Sequence, residues 1–418
     1  MTRQTRRVFR LGANAAPLAA LAGAIALALT TAVLASGGAG PATSGESFVA
    51  PASNLTKQPR ASKPRPTSTL TGTGIIRWGN SYVKASGYER FSYVLVGRQD
   101  AAVAARLPGI SLVYMQGTTV YSRWSTGVSY QEALANDWLL KDANGAYVTN
   151  ARYAGFVGDI GDGGYQRRFI SNVAAFLKQH RNDGVFIDDV LATPVGLNGS
   201  FPARYPTQQQ WEDATLSFIA TVGAALRAKG YYVLVNAAAY IPDDAASNTG
   251  ENYAAFYKRL APHVDGIMNE YWMQNPVDVA QMRSLGSNWY EYWDGWQALV
   301  SVTQAAGVDF FGLTYGSGND TRAMRYGRAS FLLDWNGRGG AFMWDMTDRD
   351  DPYHPVAVKQ LGLPVRPKFE RMPGVWQRRY ERGIVILNAT TDAVVVRVNG
   401  ESRTIGPTEA LFAGIRRR

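Results

Sequence analysis

Two apolar segments of the chain end in carboxylates, and these acids are the strongest candidates for chemistry in the sequence. Residues 183–189 are Asp-Gly-Val-Phe-Ile-Asp-Asp, and residues 265–272 are Asp-Gly-Ile-Met-Asn-Glu-Tyr-Trp. Each segment has the apolar run of a buried strand, which stops at Asp188 and Asp189 in the first and at Glu270 in the second. Two carboxylates that flank one glycosidic bond are the groups that hydrolyse it. The segments therefore predict a paired-carboxylate site wherever the fold brings their ends together.

The direction of the side chains separates the roles of the three acids. Consecutive strand residues point to opposite faces, so Asp188 and Glu270 can face one mouth while Asp189 faces the helix layer or the next loop. We predict Asp188 as the nucleophile and Glu270 as the general acid and base, with its pKa raised by burial beside Tyr271 and Trp272. The structural alternative is that the aspartates cap the following loop and that Glu270 pairs with an arginine.

The elements that must position these acids are eight short apolar segments separated by helical patterns. Residues 166–180 have the apolar stripe of an amphipathic helix, Thr207 opens a capping box, and Asp320 can cap a third helix. Repeated strand–helix alternation predicts a (β/α)₈ TIM barrel in residues 71–368. A doubly wound open sheet is disfavoured because no glycine-rich nucleotide turn follows the first strand. The eight predicted strands are residues 75–78, 111–116, 156–160, 185–189, 232–237, 267–272, 310–315 and 341–345.

The last 50 residues have a different pattern. Short β runs are separated by turns at residues 381–383 and at Asn399-Gly400. Residues 369–418 therefore predict a small C-terminal antiparallel β domain with a structural role.

Polar and aromatic residues at the strand ends are candidates to hold sugar hydroxyls or to stack on sugar rings, although each is equally consistent with packing. We predict no metal and no cofactor, because the three histidines lack metal-ligand spacing and no phosphate-binding glycine loop is present. The glycine-rich segment 159–162 could hold a metal, but a strand exit explains it equally well. The predicted substrate-binding residues are Trp78, Tyr114, Asp159, Asp189, Asn236, Trp272, Tyr315 and Asp345.

Most of the positive charge lies outside the predicted barrel. The net charge is +10, and residues 1–70 account for +7 of it, so the remaining chain is close to neutral. This distribution excludes a nucleic-acid partner, which would require a basic face on the fold itself. The absence of cysteine excludes disulfides, thiolate ligands and a lipoprotein anchor.

The N-terminal segment predicts export. Four arginines precede an apolar stretch, so residues 1–35 are a signal peptide or a membrane anchor. Arg6-Arg7 resembles a twin-arginine signal, and residues 33–35 form a plausible cleavage site. Residues 36–70 have the composition of a disordered Pro/Ser-rich linker. The body is therefore expected outside the cytoplasm, either secreted or tethered, with contact to the membrane only through this segment.

Two segments resemble a known family. Residues 183–189 resemble the strand "DGVFLDN" of hypothetical glycosyl-hydrolase-like family 15, and residues 138–145 resemble its "W-x-L-K-D-x-x-G" segment. The pattern is more distantly similar to the endo-alpha-1,4-polygalactosaminidases and to the alpha-galactosidase clan. The resemblance covers about residues 74–400 and implies a glycan substrate without naming the sugar.

The resemblance also implies roles for individual acids. Asp188 matches the acid of the fourth strand, and Glu270 matches the later acid. Asp189 stands where asparagine is more usual in the family, so the nucleophile is open between Asp188 and Asp189.

Together these observations predict an exported glycoside hydrolase acting on an extracellular or cell-wall polysaccharide. The 11 Trp and 22 Tyr suit a glycan ligand. Carboxyl groups about 5–5.5 Å apart would fit a retaining mechanism, which the related clans favour, and about 6.5–9.5 Å an inverting one. The alternative is a non-catalytic glycan-binding or matrix-organising protein on the same scaffold, which need not bring its acids together. Linkage, endo or exo action and oligomeric state are open.

Overall fold

A computed structural model describes residues 72–77, 88–124, 127–150, 155–194, 201–239, 249–273, 293–316, 320–346 and 360–414. These residues belong to one compact unit, Pro59–Arg418. The predicted signal or anchor segment, the predicted linker and Trp78 lie outside the described residues. Within the described ranges, no helix is long and apolar enough to cross a membrane.

Eight parallel strands close into a barrel, as the alternating pattern predicts. Its strands follow the order β1-β2-β3-β7-β8-β9-β10-β11, and β11 pairs with β1. The strands up to the end of the barrel are β1 (Thr73–Arg77), β2 (Tyr93–Val96), β3 (Ile110–Gln116), β4 (Thr119–Val120), β5 (Thr149–Asn150), β6 (Gly155–Val157), β7 (Gly184–Leu191), β8 (Tyr232–Ala238), β9 (Gly266–Glu270), β10 (Asp309–Gly316) and β11 (Ala341–Met346). The helices are α1 (Ala101–Ala104), α2 (Tyr130–Ala135), α3 (Gly163–His180), α4 (Gln208–Ala228), α5 (Gly250–Leu260), α6 (Trp293–Ala305) and α7 (Thr321–Asp334).

One predicted barrel strand is wrong. Within residues 156–160, the strand β6 pairs antiparallel with β4 and β5 in a separate three-stranded sheet. The missing barrel strand is β2, which pairs in parallel with β1 and β3. Only the four-residue helix α1 lies between β2 and β3, so the strand–helix alternation does not mark β2. Asp188 nevertheless lies on the fourth barrel strand, because the omitted strand and the extra one offset each other.

The helix starts follow from capping side chains. Thr207 accepts a hydrogen bond from the Gln210 N–H at the start of α4, and Asp320 accepts one from the Ala323 N–H at the start of α7. Asp162 caps α3 in the same way, at 2.7 Å from the Gly164 nitrogen. The acid in the glycine-rich segment is therefore a helix cap. No group of acids or histidines in the described residues could hold a metal ion.

The C-terminal region forms the predicted small antiparallel β domain. A four-stranded sheet has the order β12-β13-β14-β17, and β15-β16 is a separate hairpin that turns at Asn399 (φ 52°) and Gly400 (φ 87°). Arg378 donates to the carbonyls of Leu332 (2.9 Å) and Trp335 (2.7 Å), which ties this domain to α7. The strands are β12 (Phe369–Met372), β13 (Val375–Arg379), β14 (Gly383–Asn388), β15 (Val394–Val398), β16 (Glu401–Ile405) and β17 (Glu409–Gly414).

Candidate active site

The centre of the barrel mouth is one amide that bridges two carboxylates. Asn236 Nδ2, on β8, donates to Asp188 Oδ1 at 2.8 Å and to Glu270 Oε2 at 2.6 Å. Because both oxygens lie so close to a single nitrogen, they can be at most 5.4 Å apart. The side chains below them, Phe186 on β7 and Met268 on β9, are in the apolar barrel interior. The strand alternation therefore brings Asp188 and Glu270 to one mouth, as the sequence predicts.

Two tyrosines complete the contacts of the carboxylate pair. Tyr315, on β10, donates its hydroxyl to Glu270 Oε1 at 2.8 Å, and the Tyr114 hydroxyl hydrogen-bonds to Asp188. Burial raises the pKa of both phenols above the ordinary value, and the neighbouring carboxylates raise it further. Both tyrosines therefore keep their protons at neutral pH and act as donors.

The ionisation of Asp188 is set by opposing effects. Burial raises its pKa above the ordinary value of an aspartate. The Asn236 amide, the backbone N–H of Asp189 and the Tyr114 hydroxyl each favour the ionised form and lower the pKa. These donors therefore stabilise the ionised carboxylate of Asp188, whereas burial alone would favour its protonated form.

A bulge in β7 brings Asp189 to the mouth as well. The pairing of β7 with β8 shifts between Ile187 and Val190, and Asp189 has a left-handed backbone (φ 54°). Its Oδ2 accepts a hydrogen bond of 2.8 Å from Gln116 Nε2, and Gln116 lies at the mouth end of β3. The prediction that Asp189 faces the helix layer or the next loop is wrong, because strict alternation does not hold across a bulge.

A second left-handed residue follows the other acid. Tyr271, directly after Glu270, has φ 57°, and its ring lies 5.0 Å from that of Tyr315. The turn directs Trp272 into the layer between the barrel and the helices, where its indole N–H donates to the Trp296 carbonyl at 3.1 Å. Trp272 is fully buried there, so its prediction as a substrate-binding residue is wrong.

Asp159 and Asp345 are both engaged by arginines. Asp159 is buried in the loop between β6 and α3, where Arg204 and Tyr205 donate to its two oxygens. None of these contacts joins it to the bridged carboxylates. Asp345, on β11, forms an ion pair of 3.1 Å with Arg77 of β1, and its charge raises the pKa of Tyr315. Asp345 therefore lies beside the pair on the β10 side of the mouth.

Two residues outside the predicted substrate-binding set contribute to the mouth. Gln116 joins Asp189 to Tyr114, whose hydroxyl lies 3.3 Å from Gln116 Nε2. Arg77 is buried at the end of β1, against Asp345. The signal in each case is a polar residue that ends an apolar run, which is where barrels place functional groups.

A closed parallel barrel with two carboxylates at the C-terminal ends of its strands is the arrangement of glycoside hydrolases. The profile of hypothetical glycosyl hydrolase family 15 matches residues 112–384, about two thirds of the chain. The chain belongs to this family, as the two resembling segments predict. Family and fold together support a glycosidase.

Solved structures with a similar fold include three carbohydrate-active enzymes. The glycoside hydrolase domain of PelA from Pseudomonas aeruginosa is 12% identical (TM-score 0.42, 69% of this chain and 97% of that one). The alpha-galactosidase from Lactobacillus brevis is 9% identical, with a TM-score of 0.47 over 84% of this chain and 56% of that one. The maltogenic alpha-amylase AmyB from Thermotoga neapolitana is 9% identical, with a TM-score of 0.44 over 83% of this chain and 97% of that one. No curated protein matches the chain in sequence.

Proposed function

We propose that this protein is an exported glycoside hydrolase that cleaves a polysaccharide by a retaining, two-carboxylate mechanism. The observation that carries the proposal is the bridging amide of Asn236, which holds oxygens of Asp188 and Glu270 within 5.4 Å of each other. Retaining enzymes need about 5–5.5 Å between the two carboxyl groups, and inverting enzymes need about 6.5–9.5 Å to admit a water. The bound applies to one oxygen of each carboxylate, and together with the shared amide it supports direct attack by one carboxylate.

The contacts favour Asp188 as the nucleophile. Asp188 accepts from three donors that stabilise its ionised form, and an ionised carboxylate is required for attack on the anomeric carbon. In the first step, an Asp188 oxygen bonds to that carbon, the glycosidic C–O bond breaks, and Glu270 gives its proton to the leaving oxygen. In the second step, Glu270 takes a proton from water, the water oxygen bonds to the carbon, and Asp188 is released.

Asp189 is less suited to that role. Its Oδ2 is held by Gln116, and its backbone lies in the bulge that presents Asp188 to Asn236. We assign Asp189 to the positioning of Asp188, whose carboxylate accepts the Asp189 N–H. Of the two adjacent aspartates, we therefore assign Asp188 as the nucleophile.

Asn236 acts as a positioning residue. Its two amide hydrogens point to two different carboxylates, so one side chain sets both their spacing and their orientation. Tyr114 and Tyr315 hold the same carboxylates from the two outer sides, on β3 and β10. The pair is thus pre-organised for a sugar that lies above Asn236.

The main alternative is a non-catalytic glycan-binding or matrix-organising protein. Such a protein has no reason to bring two like charges together, because the repulsion between them costs stability. A shared donor with 2.8 Å and 2.6 Å contacts to the two acids favours catalysis over this alternative.

Export is inferred from the N-terminal sequence. Four arginines followed by an uncharged apolar stretch support a signal or anchor, and the Pro/Ser-rich linker supports a tether or a spacer. Replacement of Arg6 and Arg7 by lysine should abolish export if the twin-arginine route is used. Fractionation of a producing bacterium into cytoplasm, membrane and medium would detect this loss and separate a tethered product from a secreted one.

The mechanism is tested by the stereochemistry of the products. Full-length protein is first screened against a polysaccharide panel, and an aryl glycoside of the sugar that is released then serves as substrate. With azide present, Asp188→Gly should release a glycosyl azide of inverted configuration, because azide replaces the missing nucleophile. Glu270→Ala should release one of retained configuration, because azide then attacks the intact glycosyl-enzyme. Identical configurations from the two variants would contradict the assigned roles, and no turnover of any glycan by the wild type would contradict the function.

A further inference from the structure

An exposed tryptophan in the segment that follows β3 and β4 has no role in the proposed mechanism. Trp124 follows β4 and is 58% exposed. Of the large apolar side chains exposed in the described residues, it is the only tryptophan. Its ring lies 4.8 Å from that of Tyr121, and the two planes are inclined by 52°. The indole is therefore supported on one side by Tyr121 and remains accessible to a ligand.

Tyr121 connects this indole to the site. Its side chain is 9% exposed and hydrogen-bonds to Gln116, whose amide also donates to Asp189. Burial raises the pKa of Tyr121 to about 12, and the charges of Asp189 and Asp188 add to the rise. The supporting tyrosine is thus anchored in the same polar network that surrounds the nucleophile.

A flat, exposed indole matches one part of a glycan substrate, the face of a sugar ring. Sugar rings have one face of C–H groups, which packs on an aromatic face, while their hydroxyls remain hydrated at the edge. Single exposed apolar residues are common on proteins, so exposure alone is no evidence of a site. Here the exposed ring packs on a buried tyrosine, and that tyrosine hydrogen-bonds to Gln116 and is influenced by the charges of Asp188 and Asp189.

We infer that Trp124, supported by Tyr121, is a stacking subsite for a second sugar ring, adjacent to the sugar that is cleaved. This inference rests on the proposed function and extends it to the substrate: the enzyme acts on chains of at least two sugars bound across the mouth. Without such a subsite, a single sugar bound at the carboxylate pair would be enough for cleavage.

The order of elements around the barrel determines which side of the cleaved bond the second ring occupies. Trp124 follows β3 and β4, Asp188 is on β7, Asn236 is on β8 and Glu270 is on β9. The indole therefore lies on the side of the nucleophile that faces away from the acid. Because the leaving group must contact Glu270, the stacked ring belongs to the part of the substrate that stays bound to Asp188.

The test compares two substrates that differ only by that ring. They are the 4-nitrophenyl glycosides of the mono- and disaccharide of the sugar released from the degraded polysaccharide. For full-length Trp124→Ala, kcat/KM on the disaccharide glycoside should fall about tenfold, the scale of one aromatic contact, and change less than about twofold on the monosaccharide glycoside. Trp124→Phe should retain most of the activity on both, because it keeps a flat face.

The matched control is Phe369→Ala, which removes an aromatic side chain of similar exposure (51%) from β12 of the small domain. It should leave both rates unchanged. An equal loss on both substrates in Trp124→Ala, or no loss on either, would overturn the subsite while the wild-type activity still supports the proposed function. If the wild type hydrolyses no glycan, the proposed function fails, and the subsite fails with it.

Discussion

The two ends of the barrel hold buried carboxylates in opposite ways. At the N-terminal end, Asp309 Oδ2 accepts hydrogen bonds of 2.9 Å from both Tyr93 and Tyr232. At the C-terminal mouth, two carboxylates share the single Asn236 amide. One acid with two donors is a satisfied polar group, whereas two acids held around one shared amide repel each other, even though Tyr114 and Tyr315 also donate to them.

The two ends of the barrel also differ in how tightly their acids are packed. Asp309 is 7% exposed, and a side chain at Gly339 would lie within 1.9 Å of it, so this end of the barrel is closed by close backbone approach. At the mouth, Asp188 and Glu270 are each only partly buried. Asp309 therefore stabilises the fold, whereas Asp188 and Glu270 are held in an energetically unfavourable arrangement that serves function. Four predictions test this difference.

The largest effect is expected for activity at the mouth. Asp188→Ala and Glu270→Ala should each reduce kcat at least about a thousandfold on the natural polysaccharide, because each removes a group required for bond cleavage. Their thermal unfolding midpoints should stay near that of the wild type. Steady-state kinetics and calorimetry on the same preparations measure both quantities. Wild-type rates in both variants would contradict the paired-carboxylate mechanism.

The opposite end should show the reverse behaviour. Asp309→Ala removes the acceptor of the Tyr93 hydroxyl and the nearer of two acceptors of the Tyr232 hydroxyl, so the free energy of unfolding should fall by about 1–3 kcal/mol. The folded fraction should keep a kcat/KM close to that of the wild type. Denaturant titration gives the first value, and kinetics well below the unfolding midpoint gives the second. A loss of activity with unchanged stability would mean that Asp309 communicates with the mouth.

The bridging amide should control the pH profile. Asn236→Ala removes a donor that lowers the pKa of Asp188, so the nucleophile should ionise at higher pH. The acidic limb of kcat/KM should move to higher pH, and the maximum should fall about tenfold because the spacing of the acids is lost. Asn236→Gln is the control for amide chemistry at the wrong length. A uniform loss with an unmoved acidic limb would assign Asn236 a merely structural role.

The smallest effect concerns stability at the mouth. Because the pKa of Asp188 is raised in the folded protein, the unfolded chain loses this proton first as pH rises. The folded state is therefore penalised progressively above the ordinary pKa of an aspartate, and the penalty becomes constant above the raised value. Asp188→Asn should remove this penalty, so the variant should be more stable than the wild type at pH 7 but not near pH 3. Unfolding free energies of the wild type and of Asp188→Asn at the two pH values measure this difference. Equal unfolding free energies of the two proteins at pH 7 would contradict the raised pKa.

The fold was predictable where local patterns were long. Seven of the eight predicted strands are barrel strands, because each apolar run is bounded by turn residues and followed by a helical stripe. No long helical stripe follows β2, so the alternation does not mark it, and β6 has the composition of a barrel strand but pairs outside the barrel. In the small domain, β16 is hard to recognise from the sequence because four of its five residues are polar and exposed.

The site was predictable in its acids but not in all of its geometry. Alternation placed Asp188 and Glu270 correctly, and it failed for Asp189 and Trp272, each of which lies at or just after a non-glycine residue with positive φ. No residue type in the sequence announces such a backbone, because asparagine or glycine is its usual signal.

By itself, the sequence determined which strands end in acid, since a polar residue that stops an apolar run is a local property. Only the tertiary structure decided that these acids meet. The register of β7, β8 and β9 aligns Ile187 with Val235, and Asn236 with Met268, so that one amide lies between two carboxylates. Register depends on barrel closure and on the bulge at Asp189, which are properties of many distant contacts taken together. For this reason a pair of acids 82 residues apart in the chain becomes a single chemical unit only in the folded barrel.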